Sequence, residues 1–324
     1  MRLVYYSLAN SPGNPCERQW IASIRSLRSY NSKIPVWLFL LNGATPELVD
    51  EAARCGVRVL FLGNYSDYLL QAHVRGSVLA LYPTFHKFLS LDAGALDGAS
   101  QILYLDCDTF FFSDVAVLFD EYQVSEWYAR EEPMSLRSPF AYDPQHVDEH
   151  LLGRIAKDEA LRPILPFNSG VCLLNHGVWS RLKRLKKRYL NLAWRLLCGR
   201  ELSGRELVAY DPRIRQAVLN AITDQDRDRA LAYPSGNAWI IEQITLWLAL
   251  GHLPEFSQGT FSPTHVLQGA EFHDLPRCGD RSVVVHYYGT LEEEFRLHVP
   301  SSAIHFAPRP KTETTPRRTI AGVR

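Results

Sequence analysis

The sequence predicts an α/β protein whose central sheet is mostly parallel and flanked by helices. Within residues 1–62, short apolar runs alternate with segments of helical spacing, in the order strand, helix, strand, helix, strand. A fourth apolar run, at residues 101–105, follows another segment of helical character. This alternation is typical of a parallel sheet, because parallel strands are joined by crossovers that are usually helices.

The first predicted strand covers Leu3–Leu8 and stops at residues 10–15, which are rich in Asn, Pro and Gly. Those residue types favour turns and end regular structure. Trp20, Ile24 and Leu27 then recur at the spacing of one helix face. The chain therefore begins with a strand, a loop and a helix.

The second strand, Val36–Leu41, is followed by Thr45 and Pro46. Thr is a favoured N-cap residue and Pro is favoured at the first helical position, so a helix is expected to begin there. This helix ends near Gly56, and Val57–Leu62 forms the third strand. A complete crossover unit is therefore predicted before residue 63.

The second half of the chain is less regular. Residues 131–166 are polar and contain Pro, which is typical of loops with one short helix, and residues 201–235 resemble an insertion. The other predicted elements are two strands, Phe167–Asn175 and Ser282–His286, and two helices, 178–200 and Trp239–Leu250. We expect a single domain over residues 1–307 and a disordered basic tail over residues 308–324.

The composition excludes several classes of protein. The chain has 324 residues, of which 46% are hydrophobic, and its 35 basic residues balance 35 acidic ones. This rules out a disordered chain and a surface built for nucleic acid, so no nucleic-acid partner is expected. Residues 181–188 and the tail are nonetheless rich in Arg and Lys. The favoured interpretation of 181–188 is the solvated face of a core-facing helix, and peripheral contact with an anionic membrane is the alternative.

The six cysteines form no C-x-x-C pair, and no secretory leader or apolar run of about 20 residues occurs. Scattered cysteines with apolar neighbours are typical of reduced core residues. We therefore expect a cytoplasmic protein, with membrane association through residues 181–188 or the tail left open.

The fourth strand ends in an acidic triplet, Asp106-Cys107-Asp108. Ligands of open α/β sheets bind at the carboxyl ends of the strands, where this triplet lies. Because alternate side chains of a strand share a face, both carboxylates are expected to point the same way. Paired carboxylates suit Mn²⁺ or Mg²⁺ bound together with a phosphate.

An isolated D-x-D is more often a pair of turn residues than a metal site. Here the chain returns at once to an apolar segment, residues 109–112, so an ordinary acidic turn does not explain the two carboxylates. The context therefore favours a metal site.

The triplet and three later segments occur in an order that resembles GT-A glycosyltransferases. The resemblance is greatest to family 8, which contains glycogenin and the bacterial lipopolysaccharide galactosyltransferases, and it covers residues 1–125, 165–180 and 237–290. The three later segments are Phe167–Asn175, which is similar to the family's F-N-[AS]-G-V-x-x-x-N; Glu242-Gln243, similar to its D-Q pair; and His286-Tyr287-Tyr288-Gly289, similar to its H-x-x-G. Each motif alone is weak evidence, whereas four in the same order are specific.

The resemblance implies a GT-A fold with a nucleotide-binding half at residues 1–125 and an acceptor-side half at 126–307. It also implies a divalent cation, Mn²⁺ or Mg²⁺, held by Asp106, Asp108 and His286. Without the other motifs, His286 would be read as a strand-end residue that only forms hydrogen bonds.

The resemblance further implies two sets of residues around a nucleotide-sugar donor. The catalytic set is Gln243, Glu242 and Asn168. The donor-binding set is Ala9, Asn10, Lys87, Asp106, Ser169, Gly170 and Gly289. Four of these positions have ordinary alternatives: Asn10 can be a plain turn residue, Lys87 a surface lysine, and Glu242 and Gln243 the solvated first turn of a helix.

Two departures from the family pattern stand out. Relatives carry a Lys after the H-x-x-G segment, whereas this chain has Glu292, Glu293 and Glu294 there, and Arg296 or a tail residue is the candidate substitute. The family's D-Q pair is Glu242-Gln243 here, which adds one methylene group to the carboxylate side chain.

The implied activity is metal-dependent transfer of a sugar from a UDP-sugar to an acceptor hydroxyl, with retention at the anomeric carbon. An inverting enzyme would need a carboxylate base, for which Asp143, Asp148 and Glu149 are candidates. The alternatives are a sugar-phosphate nucleotidyltransferase and a non-catalytic nucleotide-sugar-binding homologue. The acceptor is not indicated and could be a saccharide, a lipid, a protein or a small metabolite.

Overall fold

The computed structural model describes residues 1–9, 16–63, 96–131, 157–158, 160–162, 164–165, 167–175, 177–185, 243, 246–268 and 282–287. The strands in these ranges are β1 (Arg2–Ala9), β2 (Val36–Leu41), β3 (Arg58–Phe61), β4 (Gln101–Leu105), β5 (Thr109–Phe111), β6 (Trp127–Glu131), β7 (Phe167–Asn175), β8 (Gln258–Thr260), β9 (Val266–Gln268) and β10 (Val284–His286). The helices are α1 (Cys16–Tyr30), α2 (Pro46–Arg54), α3 (Ala116–Glu121) and α4 (Val178–Arg184). Residues 243 and 246–250 are also helical.

The larger sheet has seven strands in the order β3-β2-β1-β4-β7-β6-β8. Strands β1 to β4 run parallel, β7 is antiparallel to both of its neighbours, and β8 is parallel to β6. The described chain is therefore a mixed α/β protein with a mostly parallel central sheet, which confirms the predicted class.

A second sheet of three strands, in the order β5-β10-β9, lies beside the carboxyl end of β4. Strand β10 is antiparallel to β5 and parallel to β9. Because β5 begins at Thr109, only residues 106–108 separate it from β4 in the larger sheet. The acidic triplet is therefore the point at which the chain passes from one sheet to the other.

The burial of β1 and of one face of α1 forms the core of the first half of the fold. Strand β1 is buried from Leu3 to Ala9, as expected for a strand covered on both faces. Trp20, Ile24 and Leu27 of α1 have no exposed surface, so the predicted helix face is the one that packs.

Helix α2 begins as its residue types predict. The Thr45 hydroxyl accepts a hydrogen bond of 3.2 Å from the backbone N–H of Leu48, and Pro46 is the first helical residue. The N-cap assignment is confirmed, and α2 closes the crossover between β2 and β3.

Helix α4 turns Val178, Trp179 and Leu182 toward the core. Its Arg181 forms an ion pair with Glu126 and donates to the carbonyl of Pro254, so this cation is engaged within the fold. The helix ends at Arg184 with Leu185 as its C-cap, so the prediction of one continuous helix over 178–200 is wrong at this point. Residues 186–200 and the 308–324 tail lie outside the described residues, and membrane contact through them stays a prediction. No helix within the described ranges has the length and apolar character needed to span a bilayer.

Candidate metal and donor site

The two aspartates lie in a turn. Strand β4 ends at Leu105 and residues 107–108 form the turn, so strand alternation, which the sequence interpretation invoked, does not extend through the triplet. The N–H of Asp106 donates to the carbonyl of Gly170 on β7 at 2.8 Å, and the Thr109 hydroxyl donates to the carbonyl of Asp106 at 2.9 Å. Hydrogen bonds with Gly170 and Thr109 therefore fix this turn. The turn, and not the predicted strand alternation, brings the two carboxylates together.

His286 reaches the same point from the second sheet. It is the last residue of β10 and pairs in register with Thr109, the first residue of β5. The next residue, Tyr287, donates its N–H to the carbonyl of Asp108 at 2.9 Å. This pairing places the imidazole beside the acidic turn.

The three predicted metal-ligating side chains converge. The Nε2 atom of His286 lies 3.2 Å from Oδ1 of Asp108 and 3.6 Å from Oδ2 of Asp106. One ligand atom from each of the three residues lies within 4.8 Å of the others. Asp108 and His286 are buried, whereas the Asp106 side chain keeps 27% of its surface exposed. We call these three residues the triad.

The ligand atoms of the triad, two carboxylate oxygens and one imidazole nitrogen, fit Mn²⁺ or Mg²⁺. Carboxylate oxygens suit both ions, and an imidazole nitrogen favours a transition metal such as Mn²⁺. Ligands at right angles around an octahedral ion, each about 2.1 Å from it, lie about 3 Å apart. The separations of 3.2 Å and 3.6 Å from His286 Nε2 are close to that spacing.

Gly170 makes room for the His286 ring. A Cβ atom at position 170 would lie 2.0 Å from Cε1 and 2.4 Å from Nδ1 of His286. Any side chain there would therefore displace the imidazole. The structure places Gly170 against the His286 ring, whereas the contact with a donor sugar that the resemblance implied stays a prediction.

The segment around Gly170 leaves the regular sheet register. Ala129 of β6 pairs with Cys172, but its neighbour Arg130 pairs with Asn168, so the intervening residues of β7 bulge. Within this bulge, Oδ1 of Asn168 accepts from the N–H of Gly170 at 2.9 Å, and Oε1 of Gln243 accepts from the N–H of Ser169 at 2.9 Å. Asn168, Ser169 and Gln243 are all buried. The structure therefore brings Gln243 and the 168–170 segment together beside the triad.

One residue of the site was missed by the sequence interpretation. Tyr104 of β4 is 1% exposed, and its hydroxyl donates to Oδ1 of Asp106. Burial, together with the nearby Asp106 carboxylate, raises the pKa of Tyr104 well above its usual value of 10. No sequence signal marks this contact, because Asp106 follows the end of β4 at Leu105 and strand alternation does not extend to it.

The other predicted site residues are placed only in part. Ala9 is the last residue of β1, buried at the carboxyl edge of the parallel strands and paired with Leu41 of β2. Asn10, Lys87, Glu242 and Gly289 lie outside the described residues, so their assignment to the site stays a prediction.

The comparisons with known proteins are structural. No protein-family profile matches the sequence, and no curated protein matches it significantly. Among solved structures, mouse xyloside xylosyltransferase 1 is 15% identical, with 88% of this chain and 97% of that chain covered and a TM-score of 0.46.

An active-site mutant of LgtC is 13% identical, with 95% and 98% of the two chains covered and a TM-score of 0.47. The glycosyltransferase GlyE of Streptococcus pneumoniae is also 13% identical, with 94% of this chain and 63% of that chain covered and a TM-score of 0.46. LgtC is described as a galactosyltransferase.

Proposed function

We propose that this protein is a metal-dependent glycosyltransferase that moves a sugar from a nucleoside diphosphate sugar, UDP-linked, to an acceptor hydroxyl. The observation that carries the proposal is the convergence of Asp106, Asp108 and His286 within 4.8 Å at the carboxyl end of β4. This edge of an α/β sheet is where such folds bind nucleotides. The UDP-linked donor rests on the family resemblance that the four ordered motifs carry.

In this proposal the triad holds Mn²⁺ or Mg²⁺. A bound divalent cation would balance the negative charge that develops on the diphosphate as it leaves. The burial of Asp108 and His286 supports this role, because removing water strengthens the interaction between the carboxylates and a cation.

The remaining described residues would hold the donor sugar. Gln243 fixes the backbone of Ser169, and Asn168 fixes that of Gly170, so the 168–170 segment presents a preorganised surface next to the triad. Preorganised polar groups stabilise a transition state without rearranging during the reaction. Ala9, at the carboxyl end of β1, would lie against the nucleotide.

We further propose that the transfer retains the anomeric configuration. The bond between the anomeric carbon and the diphosphate oxygen breaks, a bond to the acceptor oxygen forms on the same face, and the acceptor proton passes to the departing diphosphate. Asn168 and Gln243 carry amides, which are poor nucleophiles, so a covalent sugar–enzyme intermediate is not favoured.

The test uses the full chain with a panel of nucleotide sugars, with Mn²⁺ or with a chelator. We expect release of UDP from one or more UDP-sugars only when Mn²⁺ is present, and a rise in melting temperature with UDP plus Mn²⁺. Product configuration, read by NMR, reports retention or inversion.

Asp108→Ala is the test variant and Asp120→Ala is its control. Asp108 belongs to the triad, whereas Asp120 lies on α3 with 60% of its side chain exposed. Loss of UDP release in the first variant alone would support the proposal. Metal-independent turnover would contradict the metal dependence, and stabilisation by nucleoside triphosphates alone would contradict the proposal as a whole and favour a nucleotidyltransferase.

A further inference from the structure

Tyr104 approaches Asp106 from within strand β4. Its hydroxyl donates to Oδ1 of Asp106, and a phenol that carries its proton can only donate to a carboxylate. The backbone of Tyr104 pairs with Tyr5 on β1 and with Cys172 on β7, and its ring packs against the Tyr5 ring with centroids 5.0 Å apart. The backbone of Tyr104 is therefore held at the centre of the larger sheet, and burial and the Tyr5 ring restrict its phenol.

The backbone of Asp106 is held independently of Tyr104. Its N–H is bound by Gly170, and its carbonyl by the Thr109 hydroxyl. Thr109 is in turn hydrogen-bonded to Ser23 at 2.9 Å, and Ser23 to the hydroxyl of Tyr6 at 2.8 Å. With the backbone fixed from β7 and from α1, the orientation of the carboxylate depends on its side-chain torsions.

The terminal torsion of an aspartate is broad, so a carboxylate without a fixed donor samples many orientations. In this structure Oδ1 of Asp106 is bound by Tyr104, and Oδ2 is the oxygen that lies 3.6 Å from His286 Nε2. We propose that Tyr104 is a positioning residue that selects Oδ2 of Asp106 as the single oxygen offered to a divalent cation. This inference rests on the metal site of the proposed function.

The test replaces Tyr104 by Phe, which keeps the ring and removes only the hydroxyl. Binding of Mn²⁺ alone to the full chain is followed by the EPR signal of the free ion. We expect Tyr104→Phe to weaken Mn²⁺ affinity by about 10-fold, the lower end of the range for a residue that orients a metal ligand. In the transfer assay, the Mn²⁺ concentration for half-maximal rate rises, and saturating Mn²⁺ restores kcat.

Tyr128→Phe is the matched control. Tyr128 lies on β6, is 7% exposed, and accepts a hydrogen bond from the Ser125 N–H through its hydroxyl, so Tyr128→Phe also removes one hydrogen-bonded hydroxyl from a buried ring. We expect this variant to bind Mn²⁺ like the wild type. In an Asp106→Asn background, Tyr104→Phe should cost less affinity than in the wild type, because the two residues act as a unit.

The outcomes separate the inference from the proposed function. If the wild type binds no Mn²⁺, the proposed metal site is wrong and the inference falls with it. If the wild type binds Mn²⁺ and Tyr104→Phe binds it equally well, the metal site stands and the role of Tyr104 is refuted. An equal loss in Tyr104→Phe and Tyr128→Phe would also refute it, since it would show general softening of the sheet.

Discussion

Two clusters of buried charge in this molecule differ in composition. Between α1 and α2, the buried Glu51 carboxylate meets the guanidinium groups of Arg25 and Arg54. At the junction of the two sheets, the triad brings together two carboxylates and an imidazole. The first cluster contains both signs of charge, whereas the second gathers metal-ligand atoms around one point.

The Glu51 cluster is a structural clamp. Burial alone would raise the pKa of the Glu51 carboxyl, but hydrogen bonds from Arg25, Arg54 and the Cys55 thiol outweigh it and lower that pKa from 4.5 to about 2. Arg25 donates twice, from Nε to Oε1 at 2.9 Å and from Nη2 to Oε2 at 2.8 Å. This arrangement fixes α1 against α2 at neutral pH.

The comparison separates buried acidic residues that stabilise the fold from those whose arrangement suits ligand binding. A carboxylate whose counter-ions come from the chain contributes to folding, and its removal leaves buried partners behind. Carboxylates that lie beside an imidazole suit a bound cation. Removing one of these carboxylates is therefore expected to affect cation binding more than folding. Each prediction below tests this division.

The largest expected effect is on activity. Asp108→Asn should lower kcat/KM for sugar transfer by on the order of 100- to 1000-fold, because stabilisation of the leaving diphosphate is lost. Glu51→Gln should leave kcat/KM close to the wild-type value at neutral pH. Steady-state kinetics of UDP release at saturating Mn²⁺ measure both. Similar losses in both variants would abolish the distinction between the clusters.

The second prediction concerns the space beside His286. Gly170→Ala should weaken Mn²⁺ binding by about 10- to 100-fold, because the new methyl group displaces the imidazole. Gly259→Ala is the matched control: its Cβ would lie 2.2 Å from the ring of Tyr128, so it also clashes with an aromatic ring, but away from the triad. Isothermal titration with Mn²⁺ compares the two. Normal Mn²⁺ binding by Gly170→Ala would show that the ring position does not matter.

The third prediction concerns the pH dependence of stability. Because the pKa of Glu51 is lower in the folded chain, its contribution is present above pH 4.5 and is lost as the pH falls toward about 2. The full shift corresponds to about 3 kcal/mol. Since Arg54 is 62% exposed, screening by solvent reduces this, and we expect about 1–2 kcal/mol.

Urea denaturation of the wild type and Glu51→Gln from pH 2 to pH 7 measures this contribution. The difference in unfolding free energy between the two proteins should be constant above pH 5 and should shrink toward acid pH. A difference that does not change with pH would mean that the Glu51 charge does not stabilise the fold.

The smallest expected effect is the difference in unfolding free energy between variants of Arg54 and Arg25. Arg54→Met should lower the free energy of unfolding by no more than about 0.5 kcal/mol, because its side chain is mostly exposed. Arg25 also donates to Glu51, as Arg54 does, but it is only 26% exposed, so Arg25→Met should cost about 1 kcal/mol or more. Urea denaturation at pH 7 measures both, and the reverse order would be inconsistent with the geometry of the clamp.

The long apolar elements could be predicted from the sequence. Strand β7 has the predicted bounds, Phe167–Asn175, and the apolar run from Val171 to Leu174 marks it in the sequence. Strands β5, β6, β8 and β9 were not predicted. Three of them, β5, β8 and β9, have three residues each, and β8 reads Gln-Gly-Thr, so neither length nor hydrophobicity marks it as a strand. Such short strands depend on partners that only the folded chain supplies.

The site was predictable in its residue types but not in its contacts. Asp106, Asp108 and His286 were found from their motifs and do converge. The close approach of Gly170 to His286 joins residues that lie far apart in the sequence, and the Tyr104 hydrogen bond depends on side-chain direction. Neither contact has a periodic pattern in the sequence, so three-dimensional packing alone reveals them.

The position of the triad between two sheets has a thermodynamic consequence. Asp108 and His286 are separated by more than half of the chain length, so a cation bound by both would act as a cross-link that closes a very long loop. Because an ion that binds only the folded chain stabilises it by mass action, Mn²⁺ would couple assembly of the small sheet to occupancy. The melting temperature would then rise with the free Mn²⁺ concentration, and stability would report the availability of the ion.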